Sequence, residues 1–243
     1  MIPAWLHDAS LLSLALGGAV AVVIAIDLVR HPQRMWIMNV VWPVTALFAH
    51  FLSFWVYWRF GRRAGRRDPD TKRRAQDGPR PPDPPFFAMV AKGALHCGAG
   101  CTLGDLSAEW LVALQPAVAA WFGWCSIFSR QLFATWVVDF LFAFAFGIAF
   151  QFFTIRPMRG LSVGRGLVEA VKADALSLTS WQVGMYGFMA VAHFWIFGRL
   201  LGVGLPVASV EFWFMMQLAM CCGFLTAFPV NWWLIRAGIK RAM

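Results

Sequence analysis

His96, Cys97 and Cys101 stand in the run His96-Cys97-Gly98-Ala99-Gly100-Cys101, and Asp105 and Glu109 follow at four-residue steps. Two thiolates and an imidazole suit a soft or borderline ion such as Cu(I) or Zn(II). Residues four apart share one face of a helix, so Cys97, Cys101, Asp105 and Glu109 form a stripe with His96 one position aside. A packing role competes with this reading. Gly93, Cys97 and Cys101, and separately Gly100 and Gly104, make small-xxx-small series that let a second helix approach closely. Packing explains the glycines and the thiols. It does not explain His96, Asp105 and Glu109, because ionisable groups within a membrane span are costly unless they meet partners, an ion or water.

The span itself follows from composition. Of 243 residues, 60% are apolar and 14% charged, with a mean hydropathy of +0.62; soluble domains carry about 25% charged residues. Trp 14 and Phe 23 against Tyr 2 fit aromatic belts at bilayer interfaces. A span needs about 20 apolar residues. Six segments qualify: 11–29, 39–58, 87–113, 132–155, 174–197 and 211–235. The N-terminus lacks the basic region of a secretory signal, so the first segment reads as a retained helix. The five cysteines do not form a secreted disulfide pattern.

The net charge of +9 does not point to nucleic acid, because the basic residues cluster between apolar spans. Seventeen Lys and Arg residues fall in 59–92, in the loop after the fourth span and at the C-terminus; only Arg30, Arg34, Arg130 and Arg199 fall on the other side. The positive-inside rule then predicts an all-α polytopic membrane bundle of about six transmembrane helices with both termini cytoplasmic. Its expected parts are an N-terminal two-helix hairpin (1–58), a basic Pro-rich cytoplasmic linker (59–86) and a four-helix core (87–243).

Other spans offer matching groups. Met185, Met189 and His193 recur at i, i+4 and i+8 in the fifth, and Met215, Met216 and Met220 lie beside Cys221 and Cys222 in the sixth. His50 falls near the middle of the second. Asp139 and Gln151 lie on a small, polar stripe of the fourth span, and should face the bundle interior. Met215, Ala219, Gly223, Ala227 and Asn231 read as a packing seam, and Asp27 as a local partner of Arg30.

The run from His96 to Asp105 with Glu109-Trp110 resembles a bacterial membrane family catalogued as domain of unknown function 4396. The resemblance extends through Asp139, Gly147–Gln151, Pro157-Met158-Arg159-Gly160, Lys172-Ala173-Asp174, Leu176–Thr179, Phe214–Gln217 and Pro229–Trp233, and closes at Gly238-Ile239-Lys240. It covers most of residues 87–243 and implies a polytopic membrane protein without an assigned activity.

The expected function is an integral protein of the bacterial inner membrane that binds a soft transition metal, copper before zinc, and moves it or hands it over. His96, Cys97 and Cys101 are the expected ligands. Asp105, Glu109 and Asp139 support them or accept protons, since ligands lose protons on binding metal, and Met185, Met189, Met220 and His193 extend the set. Three alternatives stand beside it: a thiol oxidoreductase cycling Cys97 and Cys101 with His96 as base, haem held by two of His50, His96 and His193, and a helper subunit whose polar groups only dock a partner. The lipid bilayer is the expected partner, with a metal ion, a second copy or another membrane protein compatible and nucleic acid excluded.

Overall fold

The computed structural model describes residues 1–33, 35–62 and 85–240; most of the expected linker, 63–84, lies outside them. The described residues form helices joined by short non-helical segments, with no strand among them. They form α1 (Ala4–Arg30), α2 (Met38–Val56, extended by a π-helical turn over Tyr57–Gly61), α3 (Phe86–Leu114), a short α4 (Ala117–Trp121), α5 (Gln131–Arg159), α6 (Val163–Ala190, continued as π-helix to Leu201) and α7 (Val210–Arg236). Local signals set the ends. Ser209 caps α7 by accepting from the Phe212 amide at 3.2 Å, and Gly160 and Gly202 end α5 and α6 in the left-handed conformation that only glycine adopts freely. The protein is a polytopic membrane bundle: α1, α2, α3, α5 and α7 each have the length and apolarity of a membrane span.

The path of α2 departs from the expected transmembrane hairpin. His50 sits at φ 43°, ψ −123° and breaks the helix. Thr45 and Ser53 hydroxyls lie 3.0 Å apart, and the rings of Trp42 and Tyr57 meet with centroids at 5.6 Å. In a straight helix residues 42 and 57 stand about 22 Å apart along the axis, so the segment enters, turns at His50 and returns. Tyr57 donates to Asp27 at 2.6 Å and Arg62 pairs with the same carboxylate at 3.2 Å. Asp27 is therefore the anchor for the returning arm, and its partners are Arg62, Tyr57 and His31 in place of the expected Arg30.

Tracing the ends corrects the crossing count. The N-terminal ammonium lies 3.4 Å from the Leu201 carbonyl, and His7 bonds Glu211 at 2.7 Å, so residues 1–7 share an end with the α6–α7 junction. Trp110 of α3 stacks on Trp213, and Arg130, just before α5, lies over Phe194. At the opposite end Phe86 packs on Trp232, Trp36 on Phe153, and Lys240 on Asp174. Thus α1, α3, α5, α6 and α7 run from one end of the bundle to the other and α2 turns back, although by length and apolarity α2 counts as a span and α6 does not. With five end-to-end helices where six were expected, the start of α1 and the end of α7 lie at opposite ends of the bundle, not on one side. Among the described residues only Arg130 and Arg199 mark the N-terminal end, while Arg30, Arg59, Arg62, Lys92, Arg156, Arg159, Arg165, Lys172, Arg236 and Lys240 lie toward the other. The basic asymmetry behind the orientation is therefore sharper than expected, because Arg30 changes sides.

Candidate functional site

α3 sits at the centre, with its polar residues sealed: His96, Cys101 and Asp105 are fully buried, and Cys97 and Glu109 nearly so. Its glycines make this possible. A Cβ on Gly104 would lie 2.3 Å from the Ala143 backbone and one on Gly100 2.8 Å from Gly147, so α3 and α5 touch backbone to backbone. Gly98 and Gly223 leave the slot filled by Trp181 of α6.

The stripe expected on one face does not stay on one face. Each four-residue step drifts by about 40° around a helix of 3.6 residues per turn, so Cys97 and Glu109 end about 120° apart. The structure divides the group accordingly. His96 turns toward α5, where its Nε2 lies 3.1 Å from Thr154 Oγ1 and its ring meets the edge of Phe150. Since the Thr154 hydroxyl donates to the Phe150 carbonyl, His96 Nε2–H is the donor and Nδ1 remains an unpartnered acceptor. Cys97 and Cys101 are free thiols in the apolar core shared with Met185, Met189, Met215, Met216 and Met220.

Asp105, Glu109 and Asp139 form the most distinctive group. Asp105 Oδ1 accepts from Gln182 Nε2 at 3.0 Å; Glu109 and Asp139 lie near it, on α3 and α5, with no hydrogen bond between them. Asp105 Oδ2, Glu109 Oε1 and both Asp139 oxygens have no partner. None of the three makes a salt bridge among the described residues. α3 contributes two of the carboxyls and α5 the third, and the close α3–α5 contact holds them together. Asp105 also borders a cavity of about 300 Å³ whose walls include Leu47 and Phe48 of the α2 turn, Trp110, Trp213 and Met220.

A second buried network lies toward the basic end. Lys240 Nζ donates to Asp174 Oδ1 at 3.0 Å and to Asn231 Oδ1 at 2.8 Å. Gln151 donates to Asp174 at 3.2 Å, and Asn231 to Ser177 at 2.6 Å. Lys240 and Asp174 were not expected in a site: Asp174 reads as a span boundary and Lys240 as an orientation charge. No local signal in the sequence singles them out: Asp174 follows Lys172 and Lys240 stands beside Arg241, beyond the end of α7. Asn231 belongs to this network as well as to the expected packing seam.

The remaining expected site residues are scattered. His193 lies in the π-helical part of α6 against the edge of Phe212, and His50 is at the α2 turn, 3.4 Å from Ser13 Oγ. Among the described residues no three or more His, Cys, Asp or Glu side chains are arranged to hold a metal ion. The arrangement gathers sulfur in one place and carboxylate in another. Neither a curated protein nor a solved structure matches the chain. The family model described as domain of unknown function DUF4396 matches residues 87–240, which hold α3 and every residue of both buried networks, and the chain belongs to that family.

Proposed function

We propose that this is a multi-pass transporter of the bacterial inner membrane in which Asp105, Glu109 and Asp139 form a station for protons or a cation on its way through the bundle. One observation carries the reading: three sealed carboxyl groups converge with unpartnered oxygens and, among the described residues, no salt bridge to balance them. Such a group persists in hydrocarbon by binding protons or a cation. The basic end is cytoplasmic by the positive-inside rule, which puts the cavity beside Asp105 toward the external face. Broken helices at membrane depth commonly border transporter binding sites, and the α2 turn does so here. The test is proton flux into vesicles containing purified protein and a trapped pH-sensitive dye. Asp139→Asn is expected to cut the flux at least tenfold; equal flux through the variant and the unmodified protein would overturn the assignment.

The gathered sulfur favours a second reading, a soft metal as cargo, with copper ahead of zinc. The Thr102 hydroxyl points at the Met220 sulfur at 3.6 Å, on the wall of the same cavity, and Cys97 and Cys101 lie in the core that Met220 joins. The ligand set then shifts from His96 to thiols and thioethers, donors that Cu(I) prefers. Elemental analysis of protein purified from copper-supplemented cells checks this: about one copper per chain, lost in Cys97→Ser with Cys101→Ser, supports it, and background copper in unmodified protein removes it. Silence in both flux and metal assays would leave the helper-subunit role.

A further inference from the structure

The cavity beside Asp105 has a composition that neither protons nor a bare metal ion requires. Its wall is largely carbon: Leu47 and Phe48 from the α2 turn, Met220 of α7, and Trp110 and Trp213, whose rings stack with centroids 6.1 Å apart and planes 14° off parallel. The polar groups on the wall are mostly committed. Gln217 donates to the Leu47 carbonyl at 2.6 Å and accepts from Ser13 at 2.7 Å, and the Thr102 hydroxyl is engaged by the Gly98 carbonyl and Met220. Asp105 is the exception, fully buried with Oδ2 unpartnered.

We infer that this cavity binds a lipophilic organic cation, an amine or quaternary ammonium with an aromatic or branched apolar body, and that Asp105 is its counter-ion. The inference rests on the carboxylate cluster being an ion station and names what competes for it. A volume of about 300 Å³ is at the lower end of small-molecule sites, which are mostly apolar with a few placed polar groups. Indole faces attract cations, most strongly where water is excluded. An unpaired carboxylate bordering such a cavity discriminates by charge, because a neutral ligand of the same shape leaves the acid uncompensated. A cation bound at Asp105 displaces a proton from the cluster shared with Glu109 and Asp139, which makes the coupling an exchange of proton for organic cation. The α2 turn supplies one wall, beside walls from α1, α3 and α7.

The experiment uses the purified full chain in lipid nanodiscs. The probe is benzyltrimethylammonium, set against neopentylbenzene, its neutral isostere, and binding is read from tryptophan fluorescence. The cation is expected to bind and the hydrocarbon to bind at least tenfold more weakly. Asp105→Asn is expected to weaken the cation at least tenfold with no loss for the hydrocarbon. Asp105→Glu, which keeps the charge and guards against misfolding, is expected to restore most of the affinity, and Trp213→Ala to weaken it. Equal binding of the two probes, or an unchanged Asp105→Asn, overturns the inference and leaves an apolar or lipid-filled cavity. Binding of Cu(I) without binding of the ammonium overturns it in favour of the metal cargo. The two readings fail separately: cation binding without proton flux removes the transport assignment only, and proton flux without cation binding removes this one only.

Discussion

Lys240 Nζ lies 3.0 Å from Asp174 Oδ1 with the lysine 2% exposed and the aspartate fully buried, so the C-terminal turn is fastened into the bundle by an ion pair. The pair has further support from Asn231 and Gln151. Removing one member leaves a buried charge with no opposite charge beside it, which costs about 3–5 kcal/mol, whereas replacing both by apolar groups is often neutral or stabilising. Lys240→Met is therefore expected to lower the unfolding temperature in detergent sharply, and Lys240→Met with Asp174→Leu to recover most of the loss. A double variant no more stable than the single one would show that the contact is incidental.

His50 holds a backbone conformation, φ 43° and ψ −123°, that costs a non-glycine residue about 1–3 kcal/mol. His50→Gly is expected to keep the fold and raise the unfolding temperature. His50→Val, whose branched side chain suits this conformation worst, is expected to lower it. If the two variants behaved alike, the turn in α2 would not depend on residue 50.

Much of this architecture was legible in the sequence, but unevenly. The apolar spans and the polar face of α3 could be read because polar groups on an otherwise apolar helix must face inward, and Asp139 followed from the same rule. The turn in α2 was hidden because residues 39–58 are predominantly apolar and no glycine marks the break; Pro43 lies seven residues before it. The metal set failed to assemble as expected for a geometric reason. His96 and Cys97 are about 100° apart on a helix, so one meets Thr154 on α5 and the other the methionine-rich core. Lys240 was counted for its charge alone, and the turn that carries it back into the bundle is tertiary information.

Five crossings place the chain ends on opposite faces, and labelling tests this directly. In a Cys125→Ser background, Asp8→Cys in intact cells is expected to react with a membrane-impermeant maleimide, since the residue is exposed near the N-terminal end. Arg165→Cys, exposed at the basic end, is expected to react only after permeabilisation. Arg59→Cys distinguishes a returning α2 from a crossing one: it should behave like Arg165→Cys. Reaction of Arg59→Cys in intact cells would restore the six-helix path.

The carboxylate station depends on how closely α3 and α5 approach, and Gly104 sets that distance. A Cβ there would stand 2.3 Å from the Ala143 amide nitrogen and 2.4 Å from its Cα. The obstacle is backbone, which cannot rotate away as a side chain does, so the helices must separate. Asp139 lies one turn from Ala143, and Asp105 and Glu109 follow Gly104 one and five residues on, so separation pulls apart the three groups proposed to share protons or a cation. Gly104→Ala is expected to reduce proton flux in vesicles severalfold and to destabilise the protein by about 1–3 kcal/mol, the usual cost of overpacking. Gly187→Ala, with open space around its Cβ position, is the control and is expected to leave both unchanged. Normal flux through a stable Gly104→Ala variant would mean that transport does not run between α3 and α5.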